Sequence, residues 1–458
     1  MAPAWRYLSH WHMVDVAPGP TIVHQAAPVP PLPITAERYI SPQWLADEAA
    51  HLWPSQWLFA CLVRDVDAPG KYVVFNLGRE SILVAGTSDG SIAASYNVCQ
   101  HRGARVMTDE RGCAEAMTCP YHGWSYRPDG RLVVVPDNNR FPGGKVDRSE
   151  RSLKPVRVET WLGMVWVCMN EAAPPLREWL GPVAERLAPF DLDNYSLYGD
   201  QTVELACNWK AVFDNFGELY HVEHIHPQHE KMFDCPTATI DLFANGHTSV
   251  TIDGHTVNTR LPIPDEPTPY LDLQLRKFGG DPTAYHGRVL DIREDIRKMR
   301  RDLGPARGWD YDAFTDERLS DIEQYNVFPN TMITVQPDDA LVTRARPHPT
   351  DPNLCLWDKF TFHRPPSASV AEAAGVDFDP FDARDVAPAG RPEHDRFTQE
   401  DVIAGTKSMT ATIDQDIHFI RDVQAGMHSR GFDQQLLNHD EVRIQHYHDW
   451  MDHVMGKR

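Results

Sequence analysis

The sequence predicts an α+β fold in which a small all-β unit precedes a larger mixed one. Three observations predict it. From Trp57 to about Asn170, short apolar runs are broken by turn signals. From Pro174 onward, strand-like and helical patterns mix. Near the end, residues 408–426 carry a strong helical pattern.

The chain has 458 residues and a net charge of -21. That length accommodates two or three domains of ~100–200 residues. The acidic balance argues against a nucleic-acid partner, whose phosphates call for basic patches. It does not favour docking on anionic lipid either. No apolar run approaches the ~18 residues of a membrane span. The N-terminal stretch MAPAWRYLSHWHMVDV lacks a basic region followed by an apolar one, so it does not read as a secretory signal. Eight cysteines are scattered along the chain, and most sit singly in apolar segments. Such a chain looks cytoplasmic and suits metal binding better than a disulfide framework.

Residues 17–34 are Pro/Ala-rich and read as an extended arm. Ser41-Pro42 reads as an N-cap with proline at the first helical position, opening a helix through Leu52. In the β unit, YVVFNL, SILVAG, SIAASYNV, LVVVP and GMVWVCMN are strand candidates. Asp89-Gly90 and Asp129-Gly130 are hairpin-type turns. Further on, TVELAC (202–207) is strand-like and a helical pattern runs on to Tyr220. Alternation at 247–260, LVTRARP and CLWDKFTFH read as antiparallel strands. Residues 286–323 are charge-rich and read as a solvated helical excursion, and 365–390 as a loop-rich connection. No internal repeat is visible. Three domains are therefore expected: residues 1–54 as an arm and helix packed on the last domain, 55–171 as the β domain, and 172–458 as the mixed domain.

Two Cys/His pairs stand out in the β unit: Cys99-x-His101 and Cys119-x-x-His122. Two such pairs on two loops fit one tetrahedral zinc. They equally fit a [2Fe–2S] cluster with thiolates on one iron and imidazoles on the other. The spacing is not that of a zinc finger. Gly103 and Gly123 beside the pairs let backbone approach a cluster closely, and Pro120 stiffens the second loop. Cys113 lies outside both spacings and reads as a bystander.

A second constellation lies in NWKAVFDNFGELYHVEHIHP, residues 208–227. At ~100° per residue on a continuous helix, Asp214, Glu218, His221 and Ile225 share one face. Val212, Phe213, Phe216, Leu219 and Tyr220 fall on the opposite, core-facing side. A straight helix favours His224 as the partner of His221. Pro227 biases His226 out of the helical region and so could swing it back. In the helix ATIDQDIHFIRDVQAGM, Asp416 falls inside the stripe of Ile413, Ile417, Ile420, Val423 and Met427, whereas Asp414 and Asp422 fall outside. A buried carboxylate needs a cation, and a metal is a good one. Two histidines and a carboxylate on one triangular face suit Fe(II) with positions open for O₂.

CQHRGARV together with CPYHGWSY resembles the cluster-binding signature of Rieske proteins, in particular the N-terminal domain of Rieske non-haem iron oxygenases. The resemblance covers most of the chain, including YISPQWLADEAAHLWPSQW, the metal helix, the start of a strand at NVFPN (326–330) and the C-terminal helix. It implies a Rieske [2Fe–2S] cluster on Cys99, His101, Cys119 and His122. It also implies a mononuclear Fe(II) on His221, His226 and Asp416 in a helix-grip domain, an antiparallel sheet wrapped around a long C-terminal helix. Here NFGELYHVEHIH fits the family pattern with His226 rather than His224, and Gln424 and Gly426 follow the aspartate as the family's do. The resemblance gives Glu218 a role as a bridge between His221 and His122 of a neighbouring subunit. Many members carry Asp there; Glu occurs in a branch that includes alkylamine-oxidising enzymes.

The implied function is the terminal oxygenase component of a multicomponent system. A separate reductase, with or without a ferredoxin, would supply electrons, because no Gly-rich dinucleotide fingerprint is present. A small organic substrate, aromatic by first expectation, would be hydroxylated or dihydroxylated; a methylated amine dealkylated or hydroxylated is the alternative. A homotrimer is implied, with or without a small β subunit. Two other classes are open: an electron carrier with a ligand-binding domain, and a di-iron carboxylate protein prompted by Glu218-x-x-His221. The second copy needed by the latter, Glu223-x-x-His226, overlaps the same helix and faces away. Phe233, Phe243, Val335, Leu341 and Trp357 are candidates for an apolar pocket.

Overall fold

The computed structural model describes residues 19–24, 31–229, 235–258, 261–365 and 391–457. Phe233, most of the Pro/Ala arm and nearly all of the 365–390 connection lie outside them.

Alternating apolar residues of the β unit form a seven-stranded sheet. Its order is Leu58–Leu62, Met164–Cys168, Pro155–Trp161, Ile92–Tyr96, Glu80–Gly86, Lys71–Leu77, Arg111–Cys113. A three-stranded sheet of Met117–Thr118, Ser125–Tyr126 and Leu132–Val134 stands beside it. The second Cys/His loop connects the first two strands of that small sheet.

The larger unit is built on nine strands. Their order is Thr21–His24, Thr239–Leu242, Thr248–Ile252, Ile322–Val327, Thr331–Val335, Asp339–Pro347, Cys355–His363, Ser196–Leu205 and Asp395–Thr398. The pair at each edge is parallel and the interior pairs are antiparallel. Side chains alternate between faces. Val203, Leu205, Met332, Ala345 and Trp357 pack on Phe213, Ile413, Ile417 and Tyr447 of the helices. Val327, Ile333, Val335, Val342, Phe360 and Phe362 share the other core with Trp166, Trp179 and Leu187. The sheet is thus buried on both sides, with the Ala411–Met427 and Val442–Val454 helices on one side.

Ser41 caps the Pro42–Asp47 helix, its hydroxyl accepting from the Trp44 N–H at 3.3 Å. The helix then widens into a π turn, Glu48–Leu52. That turn aims Glu48 into the core, where it accepts from Lys210 Nζ at 2.5 Å and Trp209 Nε1 at 2.8 Å. Arg38 pairs with Asp452 at 2.7 Å. The N-terminal segment is in this way tied to the Trp209–Asn215 helix and to the last helix of the chain.

Four expectations are corrected. The 286–323 stretch is not a wholly solvated excursion: its helix, Ile292–Arg307, buries Ile292, Ile296 and Arg300, and a small core forms with Leu271, Leu275 and Phe278. The alternation at 247–260 yields strand only over Thr248–Ile252. NVFPN ends a strand, Ile322–Val327, rather than starting one, and Asn330 donates to Ala345 O at 2.8 Å to hold the turn. Val423 is exposed, not part of the apolar stripe.

Candidate metal centres

The two cysteine loops share one backbone design. Cys99 N–H donates to Ala104 O and Gly103 N–H to Cys99 O; Cys119 N–H donates to Trp124 O and Gly123 N–H to Cys119 O, all at 2.8–3.0 Å. Each closure needs a left-handed residue, and Gly103 (φ 82°) and Gly123 (φ 70°) supply it. The loops bury Cys99 and Cys119 at 2% exposure and leave His122 exposed. The His101 and His122 rings lie 4.5 Å apart, and His101 stacks on Trp124 at 4.9 Å. Burial first, then His122 and Arg102, hold His101 below the usual imidazole range, so it stays neutral and able to bind metal. Its Nδ1 is buried without a hydrogen-bond partner among the described residues. Two buried sulfurs under two outer imidazoles, one with an orphaned nitrogen, fit a cluster whose one iron takes thiolates and whose other takes histidines. Cys113 is exposed and apart from this group.

The 208–225 stretch is not one helix. Helix runs over Trp209–Asn215, breaks, and resumes over Val222–Ile225. Within the break, a Cβ on Gly217 would meet Asp214 O and Ile444 Cγ1 at 3.0 Å, so glycine suits the close approach of the last helix. The shared face expected for Asp214, Glu218, His221 and Ile225 therefore does not form on a single helix. Tyr220, expected to face the core, is 52% exposed.

The break and the chain turn after Ile225 create the second centre. His226 leaves the helix (φ -116°, ψ 74°) and is buried, while His224 stays exposed beside Tyr220. Asp416 Oδ1 lies 3.2 Å from His226 Nε2 and 3.6 Å from His221 Nε2. One ligand atom from each of the three residues falls within 4.8 Å of the others. Asp416 is 1% exposed, and Oδ1 has no hydrogen bond among the described residues. Each imidazole is held from behind. Glu218 binds His221 Nδ1 and also accepts the His221 backbone N–H at 3.0 Å. Gln415 Oε1 lies 2.8 Å from His226 Nδ1. With Nδ1–H donated in this way, Nε2 of each ring carries a lone pair toward Asp416. Burial alone would lower His221, but the Glu218 hydrogen bond and charge, joined by Asp416, outweigh it and raise its pKa. The donor set, two histidines and an unsatisfied buried carboxylate, fits a mononuclear iron.

Sequence reasoning missed Gln415 and its partner Gln228, whose Nε2 donates to Gln415 Oε1 at 2.8 Å. Proximity to Asp416 was the available signal. Asp414 instead ties down the start of its helix, accepting from Met409 N–H at 2.8 Å, and Asp422 is exposed. Among the pocket candidates, Phe243 and Val335 belong to the core on the far side of the sheet. Leu341 and Trp357 face the helices, and Trp357 meets Phe216 edge-on at 5.2 Å. A groove of about 530 Å³ reaches Glu218 and is lined also by Asp214, Ile420, Val423, Leu436 and Glu441.

Two family models match the chain: the Rieske [2Fe-2S] domain over residues 56–156 and the ring hydroxylating alpha subunit (catalytic domain) over residues 192–457. The glycine betaine monooxygenase oxygenase subunit of Pseudomonas aeruginosa is 32% identical over 177 residues, covering 39% of this chain and 41% of that protein. The large oxygenase component of the naphthalene 1,2-dioxygenase system of Pseudomonas putida is 36% identical over 184 residues, with 39% and 41% covered. These matches span about two fifths of the length of the curated relatives. Among solved structures, a quaternary ammonium Rieske monooxygenase bound to L-carnitine superposes with a TM-score of 0.63 at 18% identity, covering 92% of this chain and 95% of that one. Naphthalene 1,2-dioxygenase with indole bound gives 0.64 at 18%, covering 92% of each chain. The fold is therefore that of Rieske oxygenases, and the chain belongs to the ring-hydroxylating alpha-subunit family, its Rieske domain preceding its catalytic domain.

Proposed function

We propose that this chain is the terminal oxygenase component of a multicomponent system that hydroxylates a small organic substrate with O₂. The observation that carries this reading is the convergence of His221, His226 and Asp416 in a chain that also brings Cys99, Cys119, His101 and His122 together. Cys99, His101, Cys119 and His122 are the proposed cluster ligands; His221, His226 and Asp416 are the proposed iron ligands. Once bound, the cluster supplies one-electron transfer and the iron supplies reductive activation of O₂.

The chain's own residues set the stage for that chemistry. Glu218 and Gln415 hold the two imidazoles with Nε2 forward. The buried Asp416 adds the negative charge that a divalent cation needs. Glu218 is the proposed bridge to a second copy: it is reachable from the groove, and His122 is exposed at the tip of its loop. A homotrimer in the cytoplasm, fed by a separate reductase or ferredoxin, is the corresponding assembly. The segments 1–54, 55–171 and 172–458 are the proposed domains. No described helix is long and apolar enough to cross a membrane.

A second reading, oxidation or dealkylation of a methylated amine, is favoured by the glycine betaine and quaternary ammonium relatives and by Glu at 218. The deciding experiment is metal analysis with product analysis. About three irons and about two acid-labile sulfides per chain, a Rieske resonance on reduction and oxygenated product with a surrogate reductase are expected. About two irons and no product would instead favour an electron carrier.

A further inference from the structure

Arg443, in the Val442–Val454 helix, is 1% exposed. Its Nε donates to Thr248 Oγ1 at 3.1 Å and its Nη2 to Gln324 Oε1 at 3.0 Å. Both partners are neutral. Among the described residues, Nη1 has no hydrogen-bond partner. The other buried arginines among the described residues are matched by carboxylates: Arg38 by Asp452, Arg300 by Asp338 and Arg344 by Asp358. Burial pushes the guanidinium down to about 9, and among the described residues only the charge of Glu218, beyond ion-pair distance, opposes it. A buried cation left without an anion is costly, and a bound anion removes that cost.

Its surroundings identify where the anion would sit. Thr248 lies directly opposite Asn326, and Asn326 opposite Met332, which packs against the helices. Gln324, two residues from Asn326, is on that same face. Asn326 is 2% exposed, and its Oδ1 is also without a hydrogen bond among the described residues. A free cationic donor and a free acceptor therefore occupy neighbouring positions in the layer between the sheet and the helices. Ile413 and Ile417, which flank Asp416 on its helix, pack in that same layer. Resting on the oxygenase reading above, we propose that Arg443 is the anion-binding end of the substrate site and that the substrate is a small organic carboxylate. Nη1 takes a carboxylate oxygen in a charge-assisted hydrogen bond, and Asn326 Oδ1 takes a donor on the same molecule.

The test is isothermal titration calorimetry on the full, metal-loaded chain with matched probes: benzoate against benzamide, and glycine betaine against choline. In at least one pair the carboxylate should bind about tenfold or more tightly than its partner, the worth of one charge-assisted hydrogen bond. Arg443→Gln should abolish the difference, and Arg443→Lys should keep part of it. A wild-type preference below about twofold in both pairs overturns the proposal, as does a preference that survives Arg443→Gln. If Arg443→Gln yields no folded protein, the wild-type pairs and Arg443→Lys decide. The titration requires no turnover. Carboxylate selectivity without oxygenated product would sink the oxygenase reading and leave this site standing; product without selectivity would do the reverse.

Discussion

His226 Nδ1 lies 2.8 Å from Oε1 of Gln415, the residue immediately before Asp416. One turn of the Ala411–Met427 helix thus supplies both a proposed metal ligand and the group that aims another. Removing such an orienting partner costs about 10–100-fold in metal affinity. Gln415→Leu should therefore lose iron by that margin, with the cluster's visible spectrum unchanged. Cobalt(II) titration followed by its electronic absorption checks this, and wild-type affinity in the variant would contradict the orienting role.

Asp416→Ala should remove the mononuclear iron and leave the cluster intact, because the aspartate sits in a different unit from Cys99 and Cys119. Iron analysis alongside the reduced paramagnetic resonance signal reads both centres at once. Retained third iron or unchanged oxygenation would take Asp416 out of the site.

Glu218→Gln should keep both metals but slow electron transfer between them, measured as single-turnover oxidation of the reduced cluster. A pH effect should accompany it. Glu218 is the main group raising His221, so in the metal-free chain the wild-type histidine keeps its proton to higher pH. A proton competes with metal, so affinity falls as pH drops through that raised value. In Glu218→Gln the fall should begin at lower pH. An unshifted profile would show that Glu218 does not control His221.

Tyr126 Oη lies 3.3 Å from Cys99 Sγ and accepts the Gln100 N–H at 3.0 Å, which leaves its own hydrogen for the sulfur. Hydrogen bonds to cluster sulfur raise the potential. Tyr126→Phe should lower it in a redox titration; an equal or higher midpoint would rule out that bond.

Glu48 and Lys210 are both fully buried and meet at 2.5 Å. Removing one partner strands a charge, at a cost of about 3–5 kcal/mol. Glu48→Ala should lower stability by that amount in chemical denaturation. Replacing both residues by methionine should recover most of it, since two apolar side chains leave no charge behind. A double variant as weak as the single one would show that packing, not charge, dominates there.

The chain's local patterns announced much of this molecule. Both Cys/His loops are short-range motifs whose glycines dictate their own closure, so the two loops that carry Cys99, His101, Cys119 and His122 were readable. Period-2 runs marked the strands of the β unit, and the break in apolar periodicity at Asp416 marked a buried carboxylate. Pro227 signalled that His226 departs from its helix. What the tertiary structure alone decided depends on partners far apart in the chain. Ile444 packs close to Gly217, beyond the end of the helix that periodicity drew as continuous. Gln415 finds His226 across 189 residues. Glu48 finds Lys210, and Arg443 finds Thr248 and Gln324 but no anion among the described residues. Periodicity records which face of an element is buried; it carries no information about which distant group arrives there, and burial makes that pairing decide the chemistry.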